Sequence, residues 1–218
     1  SDYTAAIFGF CLNAQHVTIW KDVPGVLNAD PRHFKQTNLL NQISYREAIE
    51  LAFYGASVIH PKTLQPLQRK EIPLFVKPFN DPLAAGTRVG IGPDLAPKIP
   101  CFILKDQMVL LELSALDFNF MMEDHIGEVF KALHRCQMKV ELIQNSAISF
   151  SVCVHDKYQR MDELLAHLRQ HFKVEHHPEV TLYTIRYGTP QAAQELSKGD
   201  TVLLRQESNQ TLQLVLKS

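Results

Sequence analysis

The stretch Thr18–Arg32 constrains this chain more than any other, because it reads as a buried strand that stops at a carboxylate and turns. Val17, Ile19 and Trp20 form an apolar run, and Asp22 stands where that run ends. Pro24 presets φ for the first central position of a turn and Gly25 allows positive φ at the second, so residues 23–26 are expected to form a type II turn. Ala29-Asp30-Pro31 keeps the following chain extended. In α/β domains, ligands gather at the carboxyl ends of strands. Asp22 is therefore either a ligand-side carboxylate or a loop cap, and spacing alone leaves both readings open.

Around this stretch the pattern is that of a helix–strand domain. Residues 4–14 read as a helix that is apolar nearly all round, which needs neighbours on several sides. The expectation is a chain that begins inside a domain, with Ser1 or Asp2 as helix N-cap, where free N–H groups favour an anion. Ser44 and Glu47 make a capping box for a helix that buries Ala48, Leu51 and Ala52 and stops at Gly55. His60-Pro61 opens the next helix, and residues 72–76 form a strand. Residues 86–101, rich in glycine and proline, read as an ordered connection or linker.

Beyond that boundary the rhythm changes. Residues 108–113, a helical run through Ile126, Val129, Phe130, Leu133 and Cys136, then residues 140–143 and an alternating strand over 148–154 follow one another. A second helix through Met161, Leu164, Leu165, Leu168 and Phe172, and a short strand near Val174, complete β-α-β-β-α-β, a ferredoxin-like unit. Phe120, Met121 and Met122 read as core or pocket wall, with core the expectation, since methionine fills gaps. The tail repeats the order incompletely: a strand over 181–187, a helix over 190–196, and strands at 202–204 and 212–216 joined across Ser208-Asn209-Gln210. This is either a degenerate second unit or a β extension of the first.

Composition removes several function classes. A formal net charge of -1 gives no global field for nucleic acid or an anionic membrane. No apolar run is long enough to span a bilayer and no signal peptide is visible. Cys11, Cys101, Cys136 and Cys153 are widely spaced with no Cys-x-x-Cys pair, which fits reduced, mostly buried thiols in a cytoplasm and no metal site.

Three segments carry a family resemblance. Lys21-Asp22-Val23-Pro24-Gly25-Val26 with Asp30-Pro31-Arg32 resembles the nucleotide-side segment of aspartate kinases, members of the amino-acid kinase family. Ser1-Asp2-Tyr3-Thr4-Ala5 resembles the end of that family's Gly-rich substrate motif, and Gly55–Pro61 resembles the segment that starts a helix near ATP. Gly86-Thr87 resembles the family's closing turn. The second half then resembles an ACT regulatory module, through residues 126–130 and 140–146.

The resemblance implies a fold class: the C-terminal part of an α/β/α amino-acid kinase sandwich over 1–100, followed by α+β ferredoxin-like ACT units at 101–177 and, incompletely, at 178–218. It implies ATP- and Mg²⁺-dependent phosphorylation of the L-aspartate side chain to 4-phospho-L-aspartate, the first step toward lysine, threonine and methionine. Ser1 would touch substrate and Asp2 would act at the chemistry. Lys21, Asp22, Arg32, Ser57 and Val58 would hold nucleotide. His60 is expected to cap or pack, because phosphoryl transfer to a carboxylate needs no general base. An amino-acid effector, lysine or threonine, would sit among Asp124, His125, Ile126, Val140, Glu141, Gln144 and Asn145, in a homodimer paired through ACT sheets. The family often has tyrosine at Leu27, lysine at Ser57 and an acidic residue at Ala147. Its Lys-Phe-Gly-Gly-Thr-Ser motif does not occur in this sequence, so this stretch alone is expected to be nearly inactive. The alternative is a non-catalytic amino-acid-binding ACT subunit. A fusion to homoserine dehydrogenase ranks last, since no Gly-x-Gly-x-x-Gly occurs.

Overall fold

A computed structural model describes residues 1–56, 58–116 and 119–217. The chain divides into two compact units. The first comprises Ser1–Leu104 with the short segments Thr184–Gln194 and Asn209–Leu212; the second comprises Lys105–Tyr183, Glu195–Ser208 and Gln213–Ser218. The expected boundary after residue 100 lies four residues from this division, and the tail expected as one piece is shared between both units.

In the first unit, α1 (Asp2–Cys11) leads to β1 (Val17–Lys21). β2 (Gln42–Ser44) runs directly into α2 (Tyr45–Tyr54), followed by α3 (Pro61–Arg69) and β3 (Leu74–Pro78). β4 (Thr87–Gly90) and β5 (Leu95–Ala96) complete a sheet of order β1-β3-β4-β2-β5. β1 pairs parallel with β3 and β2 parallel with β4, while β3–β4 and β2–β5 are antiparallel. Of the two readings of residues 86–101, the ordered one holds and the linker does not: the segment supplies two strands, because Val89 and Leu95 find the same apolar core as Ile19, Ile43 and Val76. Strand alternation also corrects the reading of Trp20. Val17 and Ile19 face the core and Trp20 faces outward, half exposed.

Helix ends follow their local chemistry. Ser44 Oγ accepts from the Glu47 N–H at 3.0 Å, as a cap should, and Gly55 ends α2 with φ +125°. His60 Nδ1 accepts from the Lys62 N–H at 3.1 Å, so this histidine caps α3. In α1 only Ala6 and Gly9 are buried; Tyr3, Ile7 and Phe8 are exposed, as is Leu12 just past its end.

The second unit takes α4 (Glu123–Arg135), β7 (Lys139–Asn145), β8 (Ser149–His155), α5 (Met161–Leu168) and most of β6 (Cys101–Ala115) and β9 (Phe172–Arg186), whose residues 101–104 and 184–186 belong to the first. After α6 (Pro190–Leu196), β10 (Thr201–Ser208) and β11 (Thr211–Lys217) extend the sheet, whose order is β10-β11-β9-β6-β8-β7. The run β9-β6-β8-β7 is the ferredoxin-like order, with β6–β8 and β7–β8 antiparallel. One sheet face packs Leu111, Leu113, Phe150 and Val152 against Val129 and Leu133 of α4 and Leu164 and Leu168 of α5. Met108, Leu110, Cys153 and Val180 belong to a separate cluster. Of the three residues expected in the core before α4, Met121 is buried while Phe120 and Met122 are exposed. The expected strand over 181–187 is the continuation of one long strand, β9.

Candidate functional site

The turn after β1 is set by two residues. Gly25 has φ +152°, and a Cβ there would come within 2.6 Å of Thr87 Oγ1, so backbone and threonine share space only a glycine leaves. Thr87 is fully buried; its hydroxyl donates to the Leu40 carbonyl at 2.6 Å and accepts from the Val26 N–H at 2.8 Å. The Val26 amide is thus satisfied from β4, where a type II turn would have aimed it at Val23. Past the turn, Asn28 is a second anchor. Its carboxamide accepts from the Asn38 N–H at 2.7 Å and donates to the Pro100 carbonyl at 2.9 Å, and its own carbonyl accepts from the Phe102 N–H.

These anchors hold open a cavity of about 520 Å³ within the first unit, in the size range of small-molecule sites. It is lined by Asp22, Val23 and residues 25–33, by Leu51, Gly55, Ala56 and Val58, and by residues 101–104. Leu51, Val26, Val58 and Phe102 give it apolar walls, and Asp22, Asp30 and Arg32 give it charge. Arg32 is not free: its Nε and Nη2 donate to the Asp30 carboxylate at 3.0 and 2.5 Å. The Arg32 hydrogen bonds hold the Asp30 carboxyl down at about 2. Burial, with Glu47 adding to it, pushes the Cys101 thiol up to about 12, so it is an inert wall.

Of the residues expected to hold nucleotide, Asp22, Arg32 and Val58 line this one cavity. Ser57 lies outside the described residues. Lys21 does not line it; its ammonium instead meets the carboxylate of Asp2 at 2.7 Å. That hydrogen bond holds Asp2 below the usual carboxylate range. Ser1 is the helix N-cap residue, its hydroxyl donating to Asp2 Oδ1 at 3.3 Å. Asn28, Leu51 and residues 101–104 were not singled out from sequence; Asn28 lies inside the resembling segment, the others are apolar residues without a local signal.

The expected effector residues are in the second unit. The Met121 N–H donates to the Ala147 carbonyl at 2.9 Å, which brings the start of α4 beside the β7–β8 turn. Asp124 Oδ1 accepts from the His125 N–H at 3.0 Å, and His125 Nδ1 accepts from the Met122 N–H at 3.3 Å. Both side chains thus serve the helix end. Gln144 and Asn145 are exposed on β7; Ile126 and Val140 pack against the core. Glu141 sits at a bulge between Val140 and Leu142, nearly buried, and its carboxylate is shared by the ammonium groups of Lys105 and, at 2.6 Å, Lys139. No metal ligand was expected. Glu112, Glu175 and His177 bring three ligand atoms within 4.8 Å of one another, and the His177–Glu112 contact of 3.5 Å accounts for two of them.

Residues 1–78 match the amino acid kinase family model. Lysine-sensitive aspartokinase 3 of Escherichia coli is 38% identical over 152 residues, covering 70% of this chain and 34% of that protein. The solved structure of E. coli aspartokinase III in complex with lysine and aspartate superposes with a TM-score of 0.77 at 29% identity, over 99% of this chain and 51% of that one. This chain belongs to the aspartokinase family. Its similarity extends to the bifunctional aspartokinase/homoserine dehydrogenase of Buchnera aphidicola, 35% identical over 73% of this chain and 20% of that protein. The Clostridium acetobutylicum aspartate kinase shares the fold, with a TM-score of 0.85 at 20% identity. The chain spans about a third of the length of the E. coli relative. Among the described residues, no helix is long and apolar enough to cross a membrane.

Proposed function

We propose that this chain carries the nucleotide side of an aspartokinase active site, joined to an ACT half that senses an amino acid. The reaction is transfer of the ATP γ-phosphoryl group to the side-chain carboxylate of L-aspartate, giving 4-phospho-L-aspartate on the way to lysine, threonine and methionine. The observation that carries this reading is the single cavity shared by Asp22, Arg32 and Val58, with Lys21 of the same strand end ion-paired to Asp2.

Phosphoryl transfer depends on positioning and on charge placed where the transition state needs it. The apolar walls at Val26, Leu51 and Phe102 accept a flat base, and Arg32 offers guanidinium charge to phosphate. Lys21 neutralises Asp2, holding that carboxylate ionised and oriented beside Ser1, where substrate aspartate would lie. For Mg²⁺ the donor set fits: magnesium takes one or two carboxylates plus phosphate oxygens, and Asp22 lines the cavity without an ion pair among the described residues. Bound there, the ion would neutralise phosphate charge. The solved E. coli aspartokinase III in complex with aspartate and ADP supports this assignment of ligands, as does the lysine complex for the effector.

In the ACT half, Glu141 is the group to receive an effector ammonium, by exchange with Lys139, whose side chain is two-thirds exposed. Pairing of two chains through ACT sheets, and a cytoplasmic setting, complete the proposal. The test is an assay of the complete polypeptide that contains this chain. Aspartate-dependent formation of ADP is expected; its absence in folded protein overturns the reading.

A further inference from the structure

The sequence pairs Glu47 with Ser44 in a capping box, but only half of the box forms. Ser44 caps the Glu47 N–H, whereas the Glu47 carboxylate turns inward and is 2% exposed. There it meets Arg186, 139 positions later at the end of β9. Arg186 Nε donates to Oε1 at 2.9 Å and Nη2 to Oε2 at 2.5 Å, a two-pronged grip; Nη1 donates to Thr211 Oγ1 at 2.6 Å. The Tyr187 hydroxyl donates to the same Oε2 at 3.0 Å. All four residues belong to the first unit. The Glu47 hydrogen bonds hold the Arg186 guanidinium above its usual range, and burial together with Glu47 raises the Tyr187 hydroxyl, so the charged arginine and neutral phenol persist at any ordinary pH.

This network sits at the first turn of α2. One turn further, Leu51 faces the cavity, and the chain leaving the helix supplies Gly55, Ala56 and Val58 to the same wall. We propose that Arg186 is a positioning residue for the nucleotide cavity: by gripping Glu47 it fixes the rotation and depth of α2, and so the wall formed by Leu51, Gly55 and Ala56. The ligand named rests on the reading above; the positioning does not. A forked guanidinium on a carboxylate fixes direction as well as distance, which a lysine at the same place does not. Without the fork, a buried Glu47 charge draws in water or loses its place, and α2 moves with it. The helix that walls the cavity is thus fixed by Arg186 at the very end of β9, far in the chain from the motifs that mark the cavity in sequence.

The experiment compares the wild-type chain with Arg186→Lys, Arg186→Met and the milder Tyr187→Phe by amide hydrogen exchange and by calorimetric titration with ADP. Val129→Ala, a core truncation in the second unit, controls for general loss of stability. Exchange over residues 45–56 should quicken in Arg186→Lys, and less in Tyr187→Phe, while residues 139–155 keep wild-type rates. ADP affinity should weaken about tenfold in Arg186→Lys and stay unchanged in Val129→Ala. If Arg186→Met fails to fold, the other two variants decide the matter. Wild-type exchange over residues 45–56 in both Arg186→Lys and Tyr187→Phe overturns the proposal. If the wild-type chain takes no ADP, the nucleotide reading falls, and the exchange rates alone decide whether Arg186 sets the wall.

Discussion

Lys21 Nζ stands 2.7 Å from Asp2 Oδ2, so the last residue of β1 is tied to the first residue of α1. The two residues come from separate sequence motifs, Ser1–Ala5 and Lys21–Val26, proposed above to serve substrate and nucleotide. Their side chains are 28% and 27% exposed, which leaves the pair reachable by a ligand. A pair this open adds little to stability, about 0–1 kcal/mol, and its value lies in placing charge.

That pair sets an acid dependence. The Asp2 pKa is lowered in the folded chain, chiefly by the Lys21 hydrogen bond. A carboxyl with a lowered folded pKa contributes stability above its unfolded value, near 3.8, and loses it as pH falls through the folded value. Lys21→Met should therefore lose less stability between pH 5 and pH 3 than wild type does, read by urea unfolding at each pH. On the proposed function, the same change in the complete polypeptide should lower the rate of aspartate-dependent ADP formation at saturating substrate by about tenfold or more.

Gly25→Ala should destabilise the first unit by about 1–3 kcal/mol, because alanine is strained at φ +152° and its Cβ would collide with Thr87 Oγ1 and Leu39 Cδ1. Thermal unfolding measures the loss. Thr87→Val should be costly too, by about 1–3 kcal/mol, since the Val26 N–H and the Leu40 carbonyl then lose their partner inside the protein.

Glu141→Gln should cost about 1–3 kcal/mol, because the half-buried Lys105 ammonium is left without its carboxylate. The same variant should weaken binding of an effector amino acid, measured by titration with lysine and with threonine in turn. Retention of full effector affinity would remove Glu141 from the site.

Thiol chemistry should be selective. Cys11 is exposed, while Cys101, Cys136 and Cys153 are buried and all four are free. Burial pushes Cys101 and Cys153 up to about 12. A thiol reagent at neutral pH should titrate a single fast group in native protein, and Cys11→Ser should abolish it.

Much of this molecule was legible from residue order because its signals are local. The Ser44 cap, the Gly55 stop, the His60 cap and the alternation in β8 each depend on a few neighbouring residues. The β-α-β-β-α-β order of the second half is likewise a string of short-range periodicities. What escaped depends on distant partners. Residues 86–101 look like a linker because a two-residue strand has no periodicity, yet Leu95 pairs with Ile43. Trp20 looks buried by composition, but strand alternation turns it outward. Glu47 looks like half of a capping box until Arg186 arrives from 139 residues away. In the candidate site, the charged residues were legible through their motif, whereas the walls at Leu51 and 101–104 were not, since apolar residues carry no mark of what they face.

The most direct test is calorimetric titration of this 218-residue chain with ADP in the presence and absence of Mg²⁺. Saturable binding of one ADP per chain, with millimolar or tighter affinity, is expected. It should be strengthened by Mg²⁺ and weakened by Arg32→Ala and by Asp22→Asn. Folded chain that gives no saturable heat with ADP, or that binds it equally well in both variants, would contradict the assignment of this cavity to nucleotide.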